Sequence, residues 1–506
     1  MATISGVLAR QARRVPTRDA LVFGERRMSY AEADAEVNRR ANALADAGLK
    51  KGDRLAIMST NSDDFVLVIY AAFRLGAILV PVNPRMAAPE VTYLLDDSGA
   101  TAFVFAPALA EVAGNAHAAA AAPPAIMLAT NAGSAHDDIA SLAAAQSTQA
   151  PAVEVVETDD AEILYTSGTT GRPKGVLLDH HRVLWVGINV NLGCGICDGD
   201  RILHVAPFYH SAELNLFLIG GMLVGATHVI LPAFEPTAVL QAMASEEINV
   251  FFGVPTMYQM LLADPAFNSH DLSQWRVGMF GAAPMPQSTI EQLADAVPGA
   301  RLFNLCGPTE AGPGGISLGP ADMQRKPGSN GVAFVNTEAR VVDADGRDAA
   351  AGQIGEIVLR GETLMKGYWN RPEATAEAMR DGWLHTGDLA RIDADGYMTL
   401  VDRMKDMIIT GGMNVYSAEI ENALAAHPDV LDCAVVGVPH ELYGESIVAI
   451  ATPRTGVELD LETVRAHVGT LLADYKAPHR LEIGEVPRNP SGKIVKHGLR
   501  AALSEG

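Results

Sequence analysis

The stretch DRLAIMSTNSDDFVLVIYAAFRLGAILVPV, residues 53–82, indicates the fold class of the chain. The apolar run over 53–59 predicts a buried strand, and residues 63–76 carry apolar side chains at helical spacing. Residues 77–82 form a second apolar run that predicts another strand. Short apolar runs that alternate with helical patterns are typical of a mostly parallel α/β sheet.

The same alternation returns further along the chain, where the sequence predicts strands at Thr227–Leu231, Val250–Val254, Val277–Phe280 and Arg301–Leu305. After Gly328, short apolar runs between Gly and Asp turns predict an antiparallel β region. Beyond about Lys405 the pattern predicts a small α+β unit. Its predicted helices are Ser417–His427 and Glu462–Leu472, and its predicted strands are Val430–Val438 and Ser446–Thr452.

We therefore expect an α/β fold with two domains. Residues 1–402 would form a large N-terminal domain, built from two mostly parallel α/β subdomains and a small β-barrel-like region. Residues 403–506 would form a small α+β C-terminal domain. The segment 107–152, rich in Ala, Ser and Pro, predicts a variable helix and loop without chemistry.

Composition excludes several classes of protein. The 506 residues are 48% hydrophobic, and 38 Lys and Arg against 60 Asp and Glu give a net charge of −22, which disfavours nucleic acid as a partner. Four cysteines are too few for a disulfide scaffold in a chain of this length. Cys194 and Cys197 form one C-x-x-C without a second pair at zinc-ligand spacing, so we expect both to have packing roles.

The N-terminus does not resemble a secretory signal. The most apolar stretch, Leu214–Leu231, is interrupted by glycines and by His228, so it predicts a buried helix and a buried strand rather than a membrane span. We expect a soluble cytoplasmic protein without an integral membrane segment. A homodimer is among the oligomeric states that the sequence leaves open.

The segment YTSGTTGRPKGV, Tyr165–Val176, combines four Ser and Thr side chains, three glycines and Lys174. Glycines allow backbone N–H groups to face an anion, hydroxyls add donors, and a lysine neutralises charge, so this composition predicts a phosphate-binding loop. It is not a Walker A motif, since Pro173 and Gly175 flank the lysine. It is not a nucleophile elbow either, since Tyr165 replaces the first glycine.

This loop resembles the signature loop of the adenylate-forming (AMP-binding) enzymes, in particular the acyl-CoA synthetase or acid–CoA ligase branch. Five further segments resemble motifs of that family and follow in the same order. They are Gly281–Pro284 (GAAP), Gly307–Glu310 (GPTE), Trp383–Asp388 (WLHTGD), Asp402–Asp406 (DRMKD) and Asn489–Lys493 (NPSGK).

The resemblance implies a two-step reaction. A carboxylic acid attacks the α-phosphate of ATP, which gives an acyl-adenylate and pyrophosphate, and the thiolate of coenzyme A then displaces AMP. ATP, Mg²⁺ and coenzyme A would be required. Enzymes of this type position reactants and stabilise charge on phosphoryl and carbonyl oxygens.

Site residues follow from the resemblance, motif by motif. Glu310 would hold Mg²⁺, because a hard cation prefers carboxylate oxygen, and Thr309 would donate to the α-phosphate or to the new acyl phosphate. Asp388 and Arg403 would contact the ribose. The phosphates would lie against Thr166, Ser167, Gly168, Thr169, Thr170, Gly171 and Lys174, and the adenine side would include Gly281, Ala282, Ala283, Pro284, Cys306 and Gly307.

The C-terminal domain would be mobile by the same resemblance. Lys493 would reach the site during adenylation and bridge the substrate carboxylate and the α-phosphate, a role that suits a flexible ammonium group. Lys405 would be the hinge about which the domain turns between the two half-reactions. Gly411 and Gly412 would then shape the tunnel for coenzyme A.

The resemblance also gives an acyl pocket, in which His210 of the segment Pro207–His210 would gate the acid and line the path of coenzyme A. No charged group is present to hold a second carboxylate or an amino group, so diacids and amino acids are disfavoured. The full set of candidate lining residues is Asn189, His210, Ser211, Phe252, Gly281, Gly307, Gly312 and Pro313.

Three substrate assignments stay open. Small residues at 312–315 favour medium- or long-chain fatty acids. The string GPTEAGP resembles that of hydroxycinnamate–CoA ligases, so an aromatic acid, of the benzoate or hydroxycinnamate type, is the alternative. A stand-alone adenylation enzyme that loads a carrier protein is the third. An apolar pocket separates acids that differ by one methylene by only ~1–3 kcal/mol, so the sequence does not determine chain length.

Cys306 departs from the family pattern, which usually has an aromatic residue at this position. An aromatic ring there stacks on adenine, and such stacking is worth about 1–3 kcal/mol. Cys306 cannot stack, so we expect weaker ATP binding, a compensating side chain or a different adenine position.

Overall fold

The computed structural model describes residues 2–166, 172–488 and 494–504. The α-helices are α1 (Ile4–Arg14), α2 (Tyr30–Asp46), α3 (Asp63–Leu75), α4 (Ala88–Ser98), α5 (Ala110–Ala119), α6 (Ile139–Ala144), α7 (His180–Cys194), α8 (Gly220–Val224), α9 (Pro236–Ser245), α10 (Pro255–Ala263), α11 (Gln287–Ala296), α12 (Pro320–Met323), α13 (Pro372–Ala378), α14 (Ser417–Ala425), α15 (Leu461–Leu471) and α16 (Lys496–Ser504). A π-helix (Ala212–Ile219) precedes α8.

The strands are β1 (Asp19–Phe23), β2 (Arg26–Ser29), β3 (Arg54–Met58), β4 (Ile78–Val82), β5 (Ala102–Phe105), β6 (Ile126–Ala129), β7 (Asp160–Thr166), β8 (Lys174–Asp179), β9 (Arg201–His204), β10 (Thr227–Ile230), β11 (Val250–Gly253), β12 (Val277–Gly281), β13 (Arg301–Cys306), β14 (Ile316–Leu318), β15 (Val332–Ala333), β16 (Thr337–Val342), β17 (Ile354–Gly361), β18 (Gly367–Tyr368), β19 (Met379–Arg380), β20 (Trp383–Ile392), β21 (Met398–Arg403), β22 (Ile408–Thr410), β23 (Met413–Val415), β24 (Val430–His440), β25 (Gly444–Pro453) and β26 (Arg480–Ile483).

The described residues divide into two compact units. The first contains residues 2–166, 173–339 and 359–384, and the second contains Arg172, residues 340–358 and the chain from His385 onward. A boundary at 402/403 remains a prediction. Within the described ranges, no helix is both long and apolar enough to cross a membrane.

Two large sheets organise the first unit, and both contain the predicted parallel pairings. The seven-stranded sheet has the order β18-β8-β7-β4-β3-β5-β6, and the nine-stranded sheet has the order β15-β14-β13-β12-β11-β9-β10-β1-β2. The predicted strands of the second α/β region are confirmed as β10, β11, β12 and β13, with β11, β12 and β13 in parallel register. The carboxyl ends of β12 and β13 therefore lie side by side.

The opening β3–α3–β4 unit forms as its sequence predicts. The Ser62 side chain accepts a hydrogen bond from the Phe65 N–H and caps α3, and Gly76 ends the helix in the left-handed region. Every residue of α3 is buried, because the helix lies inside the unit. β3 and β4 pair in parallel, with Ala56 opposite Val80.

Three details differ from the sequence-based expectations. The segment 107–152 contributes a parallel strand, β6, beside the helices and loops that its composition predicts. The helix within Leu214–Leu231 is partly a π-helix, a rare form that is frequent at functional sites. Cys194 is buried as expected, whereas Cys197 is exposed and its Sγ lies 3.1 Å from an Arg276 guanidinium nitrogen.

A five-stranded sheet of order β16-β17-β20-β19, with β21 paired to β20, forms the antiparallel region expected after Gly328. The C-terminal part of the second unit is a separate α+β fold of order β23-β22-β25-β24, with β26 parallel to β25. Its apolar core lies between this sheet and helices α14 and α15, as the sequence predicts.

Candidate active site

The predicted phosphate loop connects β7 to β8 as a hairpin. Thr166 ends β7 and Lys174 begins β8, and the two are cross-strand partners. The Thr166 hydroxyl lies 3.5 Å from the Lys174 carbonyl oxygen. Ser167, Gly168, Thr169, Thr170 and Gly171, which are predicted to bind the phosphates, lie outside the described residues.

Helix α4 supports both strands of this hairpin. The Tyr165 hydroxyl donates to Asp97 at 2.8 Å, and the Tyr93 hydroxyl donates to the Pro173 carbonyl at 2.9 Å. Arg371 pairs with the same Asp97 carboxylate. Burial and the bond to Asp97 raise the pKa of the Tyr165 phenol, so it remains a donor at neutral pH. Sequence reasoning missed Asp97 and Tyr93, because their partners lie about 70 to 80 positions away.

The Tyr368 side chain contacts both the phosphate-loop lysine and the predicted magnesium ligand. The Lys174 ammonium lies 4.9 Å from the centre of the Tyr368 ring, which is cation–π geometry. The Tyr368 hydroxyl donates to the Glu310 carboxylate at 2.8 Å. The structure therefore places a cation and a carboxylate around one tyrosine, which the sequence did not indicate.

The chemistry of Glu310 suits a hard divalent cation. Across residues 2–166, 172–488 and 494–504, no group of three or more His, Cys, Asp or Glu side chains could hold a metal ion. A Mg²⁺ ion commonly uses one or two protein carboxylates and completes its shell with phosphate oxygens and water. Glu310 fits that mode, with substrate phosphates as the other ligands.

Thr309 and Glu310 lie in a short 3-10 turn, Thr309–Ala311, directly after β13 and residues 307–308. The Thr309 and Ser211 hydroxyl oxygens are 3.1 Å apart and hydrogen bonded. Ser211 immediately follows His210, which is exposed and whose ring centre lies 4.8 Å from that of Tyr209. The predicted gate and the predicted phosphate contact are thus joined through Ser211.

The adenine-side residues follow the adjacent carboxyl ends of β12 and β13, where open parallel sheets bind ligands. Gly281 ends β12 next to Leu305, and a Cβ at Gly281 would lie 2.4 Å from the Leu305 carbonyl oxygen, so only glycine fits. Ala282 adopts a left-handed backbone with φ of 67°, an uncommon state for alanine. Ala283 and Pro284 continue this exposed loop.

Cys306 is half-buried at the last position of β13, before Gly307. We expect Cys306→Tyr to lower the KM for ATP about tenfold, since a stacked ring contributes about 1–3 kcal/mol. The acid preference should not change. The KM values for ATP and for the acid, from pyrophosphate release, test this, with Cys306→Ala as the control that adds no ring. An unchanged or higher KM for ATP in the tyrosine variant would mean that another side chain already compensates.

The predicted ribose residues lie together in the second unit. Asp388 on β20 faces Arg403 on β21 across an antiparallel pair, and the carboxylate and guanidinium are 2.7 Å apart. Glu356, which sequence reasoning missed, holds the turn before Asp388. Its carboxylate accepts from the Gly387 N–H at 2.9 Å and contacts His385 at 2.7 Å.

The other C-terminal candidates are close in sequence to this pair. Lys405 lies in the 3-10 turn Met404–Asp406 that follows β21. Asp402, beside it, accepts a hydrogen bond from the Ser417 hydroxyl at 2.8 Å. Gly411 and Gly412 form the tight turn between β22 and β23. Lys493 lies outside the described residues.

The candidate acyl residues come from several elements of the first unit. Asn189 is buried on α7, and its side-chain oxygen accepts from the Asn336 amide at 2.9 Å. Phe252 on β11 stacks on Phe217, with ring centres 4.8 Å apart. Gly312 and Pro313 follow the Thr309–Ala311 turn. Asn336 was not predicted, and its distance of 147 residues from Asn189 explains why.

Two family models match the chain. The AMP-binding enzyme model covers residues 8–369, and the AMP-binding enzyme C-terminal domain model covers residues 419–493. Among curated relatives, a feruloyl-CoA synthase from Amycolatopsis sp. is 39% identical over 504 residues, covering 97% of each chain. A long-chain-fatty-acid–CoA ligase from Mycobacterium tuberculosis is 38% identical over 483 residues, covering 94% of this chain and 93% of the relative.

Solved structures are also similar to this chain over nearly its whole length. A fatty acyl CoA synthetase from Mycobacterium tuberculosis superposes with a TM-score of 0.81 at 36% identity, covering 99% of this chain and 98% of that one. ATP-bound MatB from Rhodopseudomonas palustris superposes with a TM-score of 0.88 at 31% identity, covering 100% of this chain and 99% of that one. The chain belongs to the AMP-binding enzyme family and is an acyl-CoA synthetase, an ATP-dependent ligase that joins a carboxylic acid to coenzyme A.

Proposed function

We propose that the acid is a monocarboxylic acid with an aromatic body that carries an oxygen substituent, such as a hydroxycinnamate. The observation that carries this proposal is the Asn189 side chain, which is only 2% exposed. Its amide nitrogen has no hydrogen-bond partner among the described residues. A buried donor without a partner costs about 1–3 kcal/mol. A phenolic or methoxy oxygen of the substrate would supply the missing acceptor.

Two further observations fit an aromatic acid. Phe252, a predicted pocket residue, stacks on Phe217. The two rings provide a flat aromatic surface, against which an aromatic substrate packs well. A feruloyl-CoA synthase at 39% identity and an indoleacetate–CoA ligase at 35% identity, the latter from Aromatoleum aromaticum, are named for aromatic acids.

A medium- or long-chain fatty acid, favoured by the sequence, is the second candidate. The small residues at 312–315 and the uncharged set of predicted lining residues suit an alkyl chain. The relative that is 38% identical is named as a long-chain-fatty-acid–CoA ligase. A saturated chain has no acceptor for the Asn189 amide, and for this reason we rank it second.

The residues near Tyr368 would carry the first half-reaction. The carboxylate oxygen of the acid forms a bond to the α-phosphorus, and the bond from that phosphorus to pyrophosphate breaks. Lys174 would neutralise the leaving phosphates, and Thr309 would donate to the α-phosphate as charge develops there. Glu310 would hold Mg²⁺, which supplies positive charge against the phosphate oxygens when bound.

The second half-reaction would use the same acyl-adenylate. The thiolate of coenzyme A attacks its carbonyl carbon, and the bond from that carbon to the phosphate oxygen breaks, so AMP leaves. A relative at 34% identity is named as a fatty acid–[acyl-carrier-protein] ligase, so the thiol of a carrier protein is the alternative acceptor. The test must distinguish this acceptor from coenzyme A.

Pyrophosphate release with ATP, Mg²⁺ and a panel of acids tests the proposal. The panel runs from acetate through long-chain fatty acids to benzoate, cinnamate and ferulate, each with and without coenzyme A. We expect turnover that requires coenzyme A and has its highest kcat/KM on an oxygen-substituted aromatic acid. A maximum on alkyl acids would establish the second candidate, and a single burst without turnover would point to a carrier protein.

The variant Asn189→Leu tests directly whether the Asn189 amide contacts an oxygen of the substrate. We expect it to raise the KM for hydroxylated aromatic acids about tenfold, a loss of about 1.4 kcal/mol, and to leave fatty acids within about twofold. Leu192→Ala is the matched control, because Leu192 lies on the same helix and is 66% exposed. Equal losses for both acid classes would contradict a contact between Asn189 and a substrate oxygen.

A further inference from the structure

The π-helix that follows His210 and Ser211 carries a buried carboxyl group that the reaction does not use. Glu213 is 1% exposed, and its carboxyl oxygen lies 2.5 Å from the His204 Nδ1 atom on β9. The His204 Nε2 atom lies 2.8 Å from the Nδ1 atom of His228 on β10, and both rings are fully buried. This chain of three side chains connects the π-helix to the nine-stranded sheet.

A second buried pair connects the same π-helix to the other large sheet. Asn215 lies two residues after Glu213, and its amide donates to the Glu162 carboxyl group on β7 at 2.5 Å. Both residues are fully buried. The second Glu162 oxygen and the Asn215 oxygen have no partners among the described residues.

Burial favours the neutral forms of the carboxyl groups and imidazoles in both connections. Burial raises the pKa of Glu213 well above its usual value and raises that of Glu162 to about 8. Burial also lowers the pKa of His228 to about 3 and lowers that of His204. In these neutral forms the Glu213 carboxyl group would donate to His204 Nδ1, and the His204 Nε2–H would donate to His228 Nδ1.

These bonds join the first turn of the π-helix to both large sheets. Moving the segment by one residue would leave several buried polar groups without partners at once, which is costly in a dry interior. The residue before the π-helix is Ser211, whose hydroxyl is hydrogen bonded to Thr309 at 3.1 Å. His210, the predicted gate, comes one residue earlier.

We propose that Glu213 and Asn215 are positioning residues for the ligase reaction. By bonding the π-helix to both large sheets, they hold Ser211 against Thr309 and hold His210 at the mouth of the acyl pocket. Neither touches the reactants, so their effect passes through Ser211 and His210. The proposal rests on the ligase activity and is independent of which acid is the substrate.

Two substitutions at Glu213 separate positioning from packing. Glu213→Gln keeps the size and a neutral donor for His204, so we expect kcat and both KM values within about twofold of the natural enzyme. Glu213→Leu removes the donor, and we expect the KM for the acid to rise about tenfold while the KM for ATP changes by less than twofold. Pyrophosphate release on the best acid of the panel gives all of these values.

Two controls accompany this comparison. Glu362→Gln alters another carboxylate that faces a histidine, His181 at 2.9 Å, but Glu362 is 58% exposed, so its kinetics should not change. Ser211→Ala is combined with Glu213→Leu, and the double variant should lose little more than the single one, because both changes act through the same contact.

The proposal is overturned if Glu213→Leu leaves the KM for the acid unchanged, or raises the KM values for ATP and acid equally. Full additivity with Ser211→Ala would also overturn it. If Glu213→Leu does not fold, His228→Leu removes the far end of the same chain and is measured instead. The same selective rise in the KM for the acid is then expected, and its absence counts against the proposal.

Discussion

Replacing Lys493 with alanine is expected to slow acyl-adenylate formation by about 10²-fold or more. The resemblance of residues 489–493 to the family motif assigns this lysine to the bridge between the substrate carboxylate and the α-phosphate. Removing a group that stabilises developing charge commonly costs 10²–10³ in rate. The rate of pyrophosphate release in a single turnover, before coenzyme A is added, measures this step.

The second half-reaction of the same variant is its internal control. Thioester formation from a supplied acyl-adenylate and coenzyme A should stay within about threefold of the natural enzyme, because Lys493 would have left the site by then. Lys50→Ala removes an exposed lysine elsewhere and should change neither rate. Equal losses in both half-reactions would contradict a C-terminal domain that turns between them.

Replacing Glu310 with glutamine is expected to slow adenylation by about 10²-fold and to raise the Mg²⁺ concentration needed for half-maximal rate. The amide oxygen can still accept the hydrogen bond from Tyr368, so the local structure is retained. What is lost is the negative charge that would hold the cation. Mg²⁺ titrations of pyrophosphate release at saturating ATP measure both effects.

Tyr368→Phe is the matched control for this prediction. It removes the hydroxyl that donates to Glu310 but keeps the ring that lies 4.9 Å from the Lys174 ammonium. We expect a loss of only a few-fold, because the carboxylate that would hold the cation is retained. If Glu310→Gln left the Mg²⁺ dependence unchanged, Glu310 would not be the metal ligand.

The fold class was predictable because its signals are local. The β3–α3–β4 segment contains apolar residues at strand and helix spacing, an N-cap at Ser62 and a glycine that ends the helix at Gly76. Neighbouring residues were therefore sufficient to place each element. The predicted strands from β10 to β13 followed from the same reasoning. β6 was missed because the Ala-rich composition around it hides a four-residue apolar run.

The helix type in the region of His210 was not predictable from periodicity. The run from Leu214 onward is apolar on all sides, so it indicates a buried helix without distinguishing an α-helix from a π-helix. The structure shows that the deviation coincides with Glu213 and Asn215, whose partners lie on two different sheets.

The sequence alone determined the family, the reaction class and the motif positions, because each motif is a short run whose residue types and order carry the information. Tertiary structure alone decided which side chains meet: Tyr368 with Glu310 and Lys174, Glu356 with the turn before Asp388, and Asn189 with Asn336. These partners are separated by 29 to 194 residues, and their contacts depend on strand order and helix packing. The local spacing of apolar residues does not specify the order of strands in a sheet. Only the folded chain therefore shows that these groups lie together.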